Sequence, residues 1–449
     1  MRLHSSFFSY CKIRLQEAFY GTAFWFILIC SSYVIGFSFQ QAITLFAEAS
    51  RSAQGSPGLL AGINPYDGIF VPTLGSFYLI QTLIFPFLTV GLFAKEKESG
   101  AKKLNYLLPS FHLEEILSHG FVFLTLWMIV FLISLLSLII WHFNGGHIYY
   151  PEVLNLILGH FLYAVVIFSI SKFAATITES GANAAIIVLG FTLGSWVLDF
   201  MAPAQTGWLK EITSLSLTAQ IRSFESGLLD WGVVLRMALL SAGFISASIY
   251  FSKSWMKFSK RLLIGFSILI FCAITFTVVP RQKYSYDMTE DRRNSFDLPS
   301  EKALQGLSEI LKIEIGLSPD DSRFKDFNRS ILQPLLRSVP HLQYGFQYQN
   351  VALDSFKNEG KDNYGIIYYI YKEKRDQSRS TSPEEVLPII FNLADVKVDS
   401  SIEIPYRGYP LVMSSIFAEF IFYVFLPILS ILGLSYFKKN KIMEVFGYD

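Results

Sequence analysis

Ionisable side chains embedded in long apolar runs are the residues of this sequence best placed to do chemistry. His160 and Lys172 share one such run, and Arg236 and Glu419 lie in two others. Burying a charge in hydrocarbon is costly, so each position calls for an explanation. For Lys172 and Arg236, a long stem near the end of a run can carry the charge to the interface. His160 and Glu419 fit polar contacts between helices or the lining of a substrate path, and helix packing is the simpler of the two.

No catalytic set can be assembled from spacing. The segment Ser99-Gly-Ala-Lys-Lys103 lacks the second glycine and the hydroxyl of a phosphate-cradling Gly-x-x-x-x-Gly-Lys-Ser/Thr loop. Among the 7 histidines no pair stands four residues apart, the spacing of a helical metal site. His142 and His147 flank a Gly-Gly turn, where they could bind a metal weakly or simply occupy a polar interface. Gly190-Phe-Thr-Leu-Gly-Ser195 resembles a nucleophile turn only in letters, because it lies in an apolar run without a recognisable histidine and carboxylate partner. Cys11, Cys30 and Cys272 fall in or beside apolar runs and form no Cys-x-x-Cys pair. The sequence therefore predicts no enzyme, no cofactor and no metal, and its net charge of +1 gives no sign of a nucleic-acid partner.

The elements that must position these residues are apolar. Of 449 residues 52% are hydrophobic and 16% charged, and the 42 phenylalanines exceed what one soluble core needs. A membrane-spanning helix takes ~20 predominantly apolar residues, since lipid offers the backbone no hydrogen-bond partner. Runs of this kind cover residues 21–39, 73–93, 120–141, 154–174, 184–201, 233–251, 262–279 and 411–436, predicting about eight spans. Residues 1–20, with Lys12, Arg14 and Glu17 among Phe7, Phe8, Tyr10, Ile13 and Leu15, read as an amphipathic helix on the membrane lipid rather than a cleaved signal.

Basic residues set the orientation, because Lys and Arg gather in short cytoplasmic loops. With the N-terminus inside, alternate loops and both tails hold Arg2, Lys12, Arg14, four lysines within 95–103, four basic residues within 253–261, and Lys438, Lys439 and Lys441. The short loops on the other side hold only Arg51, Lys210 and Arg222. Both termini are thus expected in the cytoplasm, with an even number of spans.

Residues 281–410 break the apolar pattern and, on this orientation, lie outside the cytoplasm, enough chain for one small domain. Leu304, Leu307, Ile310 and Leu311 predict a helix started by Pro299 and Ser300, and Leu311, Ile313, Ile315 and Leu317 then alternate as a strand. A second stripe, Phe324, Phe327, Ile331, Leu332, Leu335, Leu336 and Val339, leads to a second strand at Leu342, Tyr344, Phe346 and Tyr348. Ile366 to Tyr371 reads as a third strand covered on both faces, and Glu373 to Glu385 as an exposed loop or hairpin tip. Helix and strand in alternation predict a small α/β sandwich.

Between the second and third runs stands Ala94-Lys-Glu-Lys-Glu-Ser-Gly-Ala-Lys-Lys-Leu-Asn-Tyr-Leu-Leu-Pro109, followed by Leu113-Glu-Glu-Ile116. This resembles the cytoplasmic signature of type 2 ABC-transporter permeases, matched at Glu96, Glu98, Gly100, Leu104, Leu107, Leu108 and Pro109. Lys97 and Ala101 stand where that family often has Arg and Thr. The resemblance implies that this loop couples to a separate dimeric ATPase subunit, and that the chain pairs with a second permease subunit, identical or related. Physically, a short helix carrying Leu104, Leu107 and Leu108 beside charges suits a groove on a soluble partner, although an ordinary positive-inside loop reads the same way.

Two further stretches carry the resemblance. Leu215-Ser-Leu-Thr-Ala-Gln-Ile-Arg-Ser-Phe224, then Gly227-Leu-Leu-Asp230, is similar to re-entrant or surface helices on the outer side of these permeases. Tyr286-Asp-Met-Thr-Glu-Asp-Arg-Arg-Asn-Ser-Phe-Asp-Leu-Pro-Ser300 looks like the opening of the extracytoplasmic domain of gliding-motility ABC-transporter subunits, which precedes a thioredoxin-like sandwich. Phe296 and Asp297 depart from the Leu and Ser usual there, and the domain is shorter. Without cysteine it could not perform thioredoxin chemistry. The expected organisation is then an interfacial helix at 1–20, a six-span permease core at 21–261, a seventh span at 262–280, an extracytoplasmic α/β domain at 281–410, and an eighth span with a cytoplasmic tail at 411–449. The expected function is an ABC permease subunit of a bacterial cytoplasmic membrane. The alternative is a membrane scaffold that transmits ATPase strokes to the outer domain without moving solute.

Overall fold

The computed structural model describes residues 2–60, 62–98, 112–201, 213, 215–252, 256–278, 285–318, 321–347, 364–398 and 406–446. Within these, an apolar helical bundle carries a small sheet domain at one end. The bundle's helices are α1 (Arg2–Tyr20), α2 (Thr22–Ala53), α3 (Tyr66–Ala94, continuing helically to Glu98), α4 (His112–Phe143), α5 (Tyr150–Ile177), α6 (Gly181–Met201), the short α7 (Leu217–Glu225), α8 (Trp231–Ser252), α9 (Phe258–Val278) and the last helix (Ile416–Lys441).

Seven helices among the described residues are long and apolar enough to cross a membrane: α2, α3, the part of α4 from Glu115, α5, α6, α8 and the last helix. The remaining expected run, the seventh at 262–279, is also helical, as the 21 residues of α9. Several helices outrun the apolar stretches that announce them. The first run was expected over 21–39, yet α2 continues to Ala53, because Ala42, Ile43, Phe46, Ala47 and Ser50 keep one stripe buried beyond the run's end.

Close approach of backbones orders the bundle. A Cβ on Gly159 of α5 would stand 2.7 Å from Cβ of Phe224 on α7, so glycine lets that fully buried ring sit against the α5 backbone. The last helix docks on α2, where Phe422 lies over Gly36 and Trp25 lies against Gly433. Helix α9 instead packs on α8, with Cys272 over Gly243. The two helices flanking the sheet domain therefore lean on different parts of the bundle.

The sheet domain begins with β2 (Ser285–Asp287), which pairs antiparallel with β1 (Leu228–Asp230) of the bundle. Next come α10 (Leu298–Gln305), β3 (Leu311–Ile315), a helical stretch α11 over 322–338, β4 (Leu342–Phe346), β5 (Ile367–Tyr371), β6 (Lys374–Ser378) and α12 (Pro383–Ala394). The sheet order is β4-β3-β5-β6, with β3 and β4 parallel and β5 antiparallel to both β3 and β6. One core collects Leu311, Ile313, Ile315, Ile367 and Tyr369 from the sheet with Phe327, Ile331, Leu335 and Ile390 from the helices.

Three expectations for this domain need correction. The helix announced by Leu304, Leu307, Ile310 and Leu311 stops at Gln305, where Gly306 takes the C-cap, and Leu311 opens β3 instead. Its start is close to the one read from sequence, since the Asp297 side chain caps the Ser300 N–H and Pro299 occupies the first turn. The stretch from Glu373 to Glu385 is not all loop, because Lys372 adopts φ 55° and turns the chain back so that β6 pairs along β5. Strand β5 buries Ile367, Tyr369 and Tyr371 while Tyr368 and Ile370 stay half-buried, so its two faces are not equally covered. The second stripe is one helical stretch as expected, with a π turn at Asn328–Leu332 directly before Pro334 relieving the proline's missing N–H.

Gly159→Ala places a methyl into the Phe224 ring and should lower stability by ~1–3 kcal/mol, the cost of overpacking. Thermal unfolding of the purified protein in detergent should show a lower Tm than Gly190→Ala, whose added Cβ meets nothing within 4 Å.

Candidate functional site

The buried polar groups of the bundle form several sets along its length. At the end remote from the sheet domain, the Lys172 Nζ of α5 donates to Glu115 Oε1 of α4 at 2.7 Å and sits 4.8 Å from the Phe93 ring centre of α3. Tyr10 of α1 lies 3.3 Å from His119 Nε2, and Cys11 approaches the Ser118 carbonyl, so the N-terminal helix seats against α4 at this end. Lys172 does not snorkel. Its side chain is 7% exposed and that of Glu115 23%, because α4 supplies a carboxylate within reach.

At mid-bundle, Tyr78 hydrogen-bonds Thr218 at 2.6 Å, Thr82 hydrogen-bonds Tyr163 at 3.0 Å, and Thr192 donates to the Thr82 carbonyl at 2.9 Å. These hydroxyls join α3, α5, α6 and α7. Beside them, Gln81 donates from Nε2 to the His160 carbonyl at 3.0 Å and accepts from His160 Nδ1 at 3.1 Å. His160 Nε2 is buried without a hydrogen-bond partner. Arg236 is 2% exposed, so it too fails to reach the interface; its Nε donates to Gln220 Oε1 of α7 at 2.8 Å. Helix α7 is thus packed against the bundle, capped by Ser216 and bonded to α8 by Arg236.

Glu419, one turn into the last helix, accepts from Gln40 at 2.8 Å and from Ser415 at 2.6 Å, while Tyr423 donates to Gln40 at 3.0 Å. Its contacts are those of a packing element between α2 and the last helix. Of the residues expected to couple to an ATPase, Glu96 and Glu98 occupy the helical end of α3, and Gly100, Leu104, Leu107, Leu108 and Pro109 lie outside the described residues.

A further set, not anticipated from the sequence, lies where the sheet domain meets the bundle. Arg293 donates from NH1 to Asp67 at the start of α3, from NH2 to Glu152 Oε1 in the first turn of α5 at 2.8 Å, and from Nε to Asp291 at 3.0 Å. Its guanidinium carbon lies 5.3 Å from the Tyr66 ring centre. Burial opposes the charge of Arg293, and the Asp67, Asp291 and Glu152 carboxylates outweigh that, raising its pKa above the usual guanidinium value. The Glu290 N–H also donates to Glu152 at 3.1 Å, and Asn64 donates to Asp291 at 3.2 Å. The Glu290 carboxylate meets His147 Nε2 at 2.8 Å and accepts from the Tyr409 hydroxyl at 2.7 Å, which pushes the Tyr409 pKa up. The Tyr409 ring stacks on His147 at 3.6 Å.

The backbone beneath this cluster is shaped for it. Asp287 accepts from the Thr289 N–H and hydroxyl and from the Asn294 N–H, closing residues 287–294 into a compact loop. Met288 N–H donates to the Gly227 carbonyl at 2.9 Å, and Gly227 at φ 82° leaves room for the Thr289 methyl. His147 is therefore engaged by a carboxylate and a ring. No group of three or more potential metal ligands occurs among the described residues. Comparison with known proteins finds no matching family model, no similar curated protein and no similar solved structure.

Glu115→Ala leaves the Lys172 ammonium buried without its carboxylate and should cost ~3–5 kcal/mol, whereas Lys172→Met combined with Glu115→Leu should be close to neutral. Unfolding midpoints of the single and double variants in detergent check the ordering.

Proposed function

We propose that this chain is the membrane-spanning permease subunit of an ABC transporter, powered by a separate dimeric ATPase and paired with a second permease subunit. The observation that carries the reading is the course of α3. One helical course, interrupted only at Ile84, begins at Tyr66 and Asp67, in the ion-paired cluster beneath the sheet domain, and ends at Glu96 and Glu98, where the proposed coupling loop begins. A partner that pushes on the loop would act directly on the helix that reaches the sheet domain. A π turn at Tyr66–Phe70 and a break before Pro86 give that helix two places to bend.

On this reading α9 is the seventh of eight spans, both termini face the cytoplasm of a bacterial cell, and residues 281–410 stand outside the cytoplasmic membrane. The sheet order β4-β3-β5-β6, with a parallel β3–β4 crossover and an antiparallel β5, supports a thioredoxin-like sandwich. Whatever solute is moved would pass along a surface that this subunit shares with its partner.

A second reading has its own support. The loop over 287–294 is tied so firmly to the bundle that strokes of α3 would reach the sheet domain mechanically, as in a transmission protein that moves no solute. The two readings share the ATPase and differ in the load.

Replacing Glu98 with Ala or Gly100 with Leu should abolish stimulation of the partner ATPase while membrane insertion and yield stay at the parent level. ATP hydrolysis by the complex in nanodiscs measures this. Unchanged stimulation would remove the coupling role of residues 94–117.

A further inference from the structure

Arg293 has its donors directed at separate elements. A guanidinium is planar, so its donors point in set directions, and one arginine can bind several carboxylates only if each lies in the right sector. Here NH1 serves Asp67 of α3, NH2 serves Glu152 of α5, and Nε serves Asp291 of its own loop. The Glu152 side chain is 3% exposed and that of Arg293 13%, so solvent screens the pair little. We propose that Arg293 is a lock: its guanidinium holds the ends of α3 and α5 together beneath the sheet domain, and these ends separate only when the lock opens.

The same lock fixes the sheet domain. The chain entering the domain is bound through Arg293 and through the Glu290 N–H on Glu152. The chain leaving it is bound at the same place, because Tyr409 donates its hydroxyl to Glu290 and its N–H to the Ile63 carbonyl at 3.0 Å, just before α3. The body of the domain joins in through Arg337 of α11, which donates to the Asn294 carbonyl. Both connections of the domain thus end on one cluster, and the domain rides on α3 and α5 rather than swinging on its own flanking helices.

Charge balance makes Arg293 the critical member. Asp67, Glu152, Glu290 and Asp291 bring four carboxylates to the cluster, against one arginine and the imidazole of His147. Removing the guanidinium takes away the group that the carboxylates of α3, α5 and the loop share and leaves the buried Glu152 carboxylate without a cation. A lysine cannot replace it, since a point charge does not reach three partners in one plane. This inference does not depend on what drives α3.

The test uses the full chain in nanodiscs with Cys11, Cys30 and Cys272 replaced by serine, and pulsed spin-label distances between new cysteines at exposed positions. Leu59, just before α3, and Leu154 of α5 are 58% and 62% exposed and report the gap between these helices; Ile310, 50% exposed, with Leu154 reports the domain. The parent should give one narrow distribution for each pair. Arg293→Ala should add a longer distance to both pairs, and Arg293→Lys should broaden both. Glu290→Gln weakens only the hold on His147 and Tyr409, so it should lengthen the Ile310–Leu154 distance and leave Leu59–Leu154 as in the parent. Where Arg293→Ala yields no folded protein, Arg293→Lys decides, because it keeps the charge and loses the three-way fork. A parent-like Leu59–Leu154 distribution in the folded Arg293 variants would overturn the lock, and a parent-like Ile310–Leu154 distribution in those variants and in Glu290→Gln would overturn its hold on the domain.

Discussion

Hydrocarbon offers no hydrogen-bond partner, and nearly every feature of this bundle follows from that. The backbone satisfies itself by coiling into helices, which is why the apolar runs of the sequence locate them. Short hydroxyls can bond the carbonyl one turn back, as Ser171 and Ser241 do. Longer polar side chains meet partners from other helices, and the meeting points help determine how the helices cross. Lys172 with Glu115, Arg236 with Gln220, Tyr78 with Thr218 and Gln81 with His160 are of this kind, and together they tie α7 and α8 to the bundle and join α3, α4 and α5. Packing supplies area, whereas these pairs supply register: a slide of one helix along another would strand a buried ammonium or guanidinium, at a cost packing alone could not recover.

This division explains what the sequence discloses. Helix positions, the amphipathic first helix and the alternation of Leu311, Ile313 and Ile315 depend on neighbours within a few residues, so composition and period reveal them. Partners do not show in this way. Snorkelling is a sound expectation for Lys172 and Arg236 taken singly, and it fails because Glu115 is 57 positions away in the chain and Gln220 lies on a helix packed against the bundle. Strand β6 stayed hidden for a related reason. Lys374, Arg375, Asp376 and Gln377 have the composition of a loop, and only pairing along β5 makes them a strand.

The junction cluster was half legible. The run Glu290-Asp-Arg-Arg293 is conspicuous in sequence, and its mixed charges already mark a segment that binds something. Its counterparts are not, since Asp67 and Glu152 each sit at the start of an apolar run and pass for ordinary helix-end acids. An arginine with neighbouring acids is usually a solvated surface group worth little. Here burial changes that, because Glu152 faces away from water beneath the loop and has Arg293 and the Glu290 N–H as its partners.

An ion pair in that position has a consequence that an apolar contact would not. Apolar surfaces slide over one another with gradual changes in energy, so a domain seated on leucines could drift. A buried carboxylate with a single cation has no intermediate arrangement of comparable energy: the pair is made, or water must enter to replace it. The Glu152–Arg293 pair therefore has two states rather than a continuum, while Asp67, whose side chain is 57% exposed, adds a solvated contact from the start of α3. The far end of α3 carries Glu96 and Glu98, while its near end is pinned by the guanidinium. The π turn Tyr66–Phe70 contains Asp67 itself, so the residue pinned by the guanidinium lies in the least regular turn of α3.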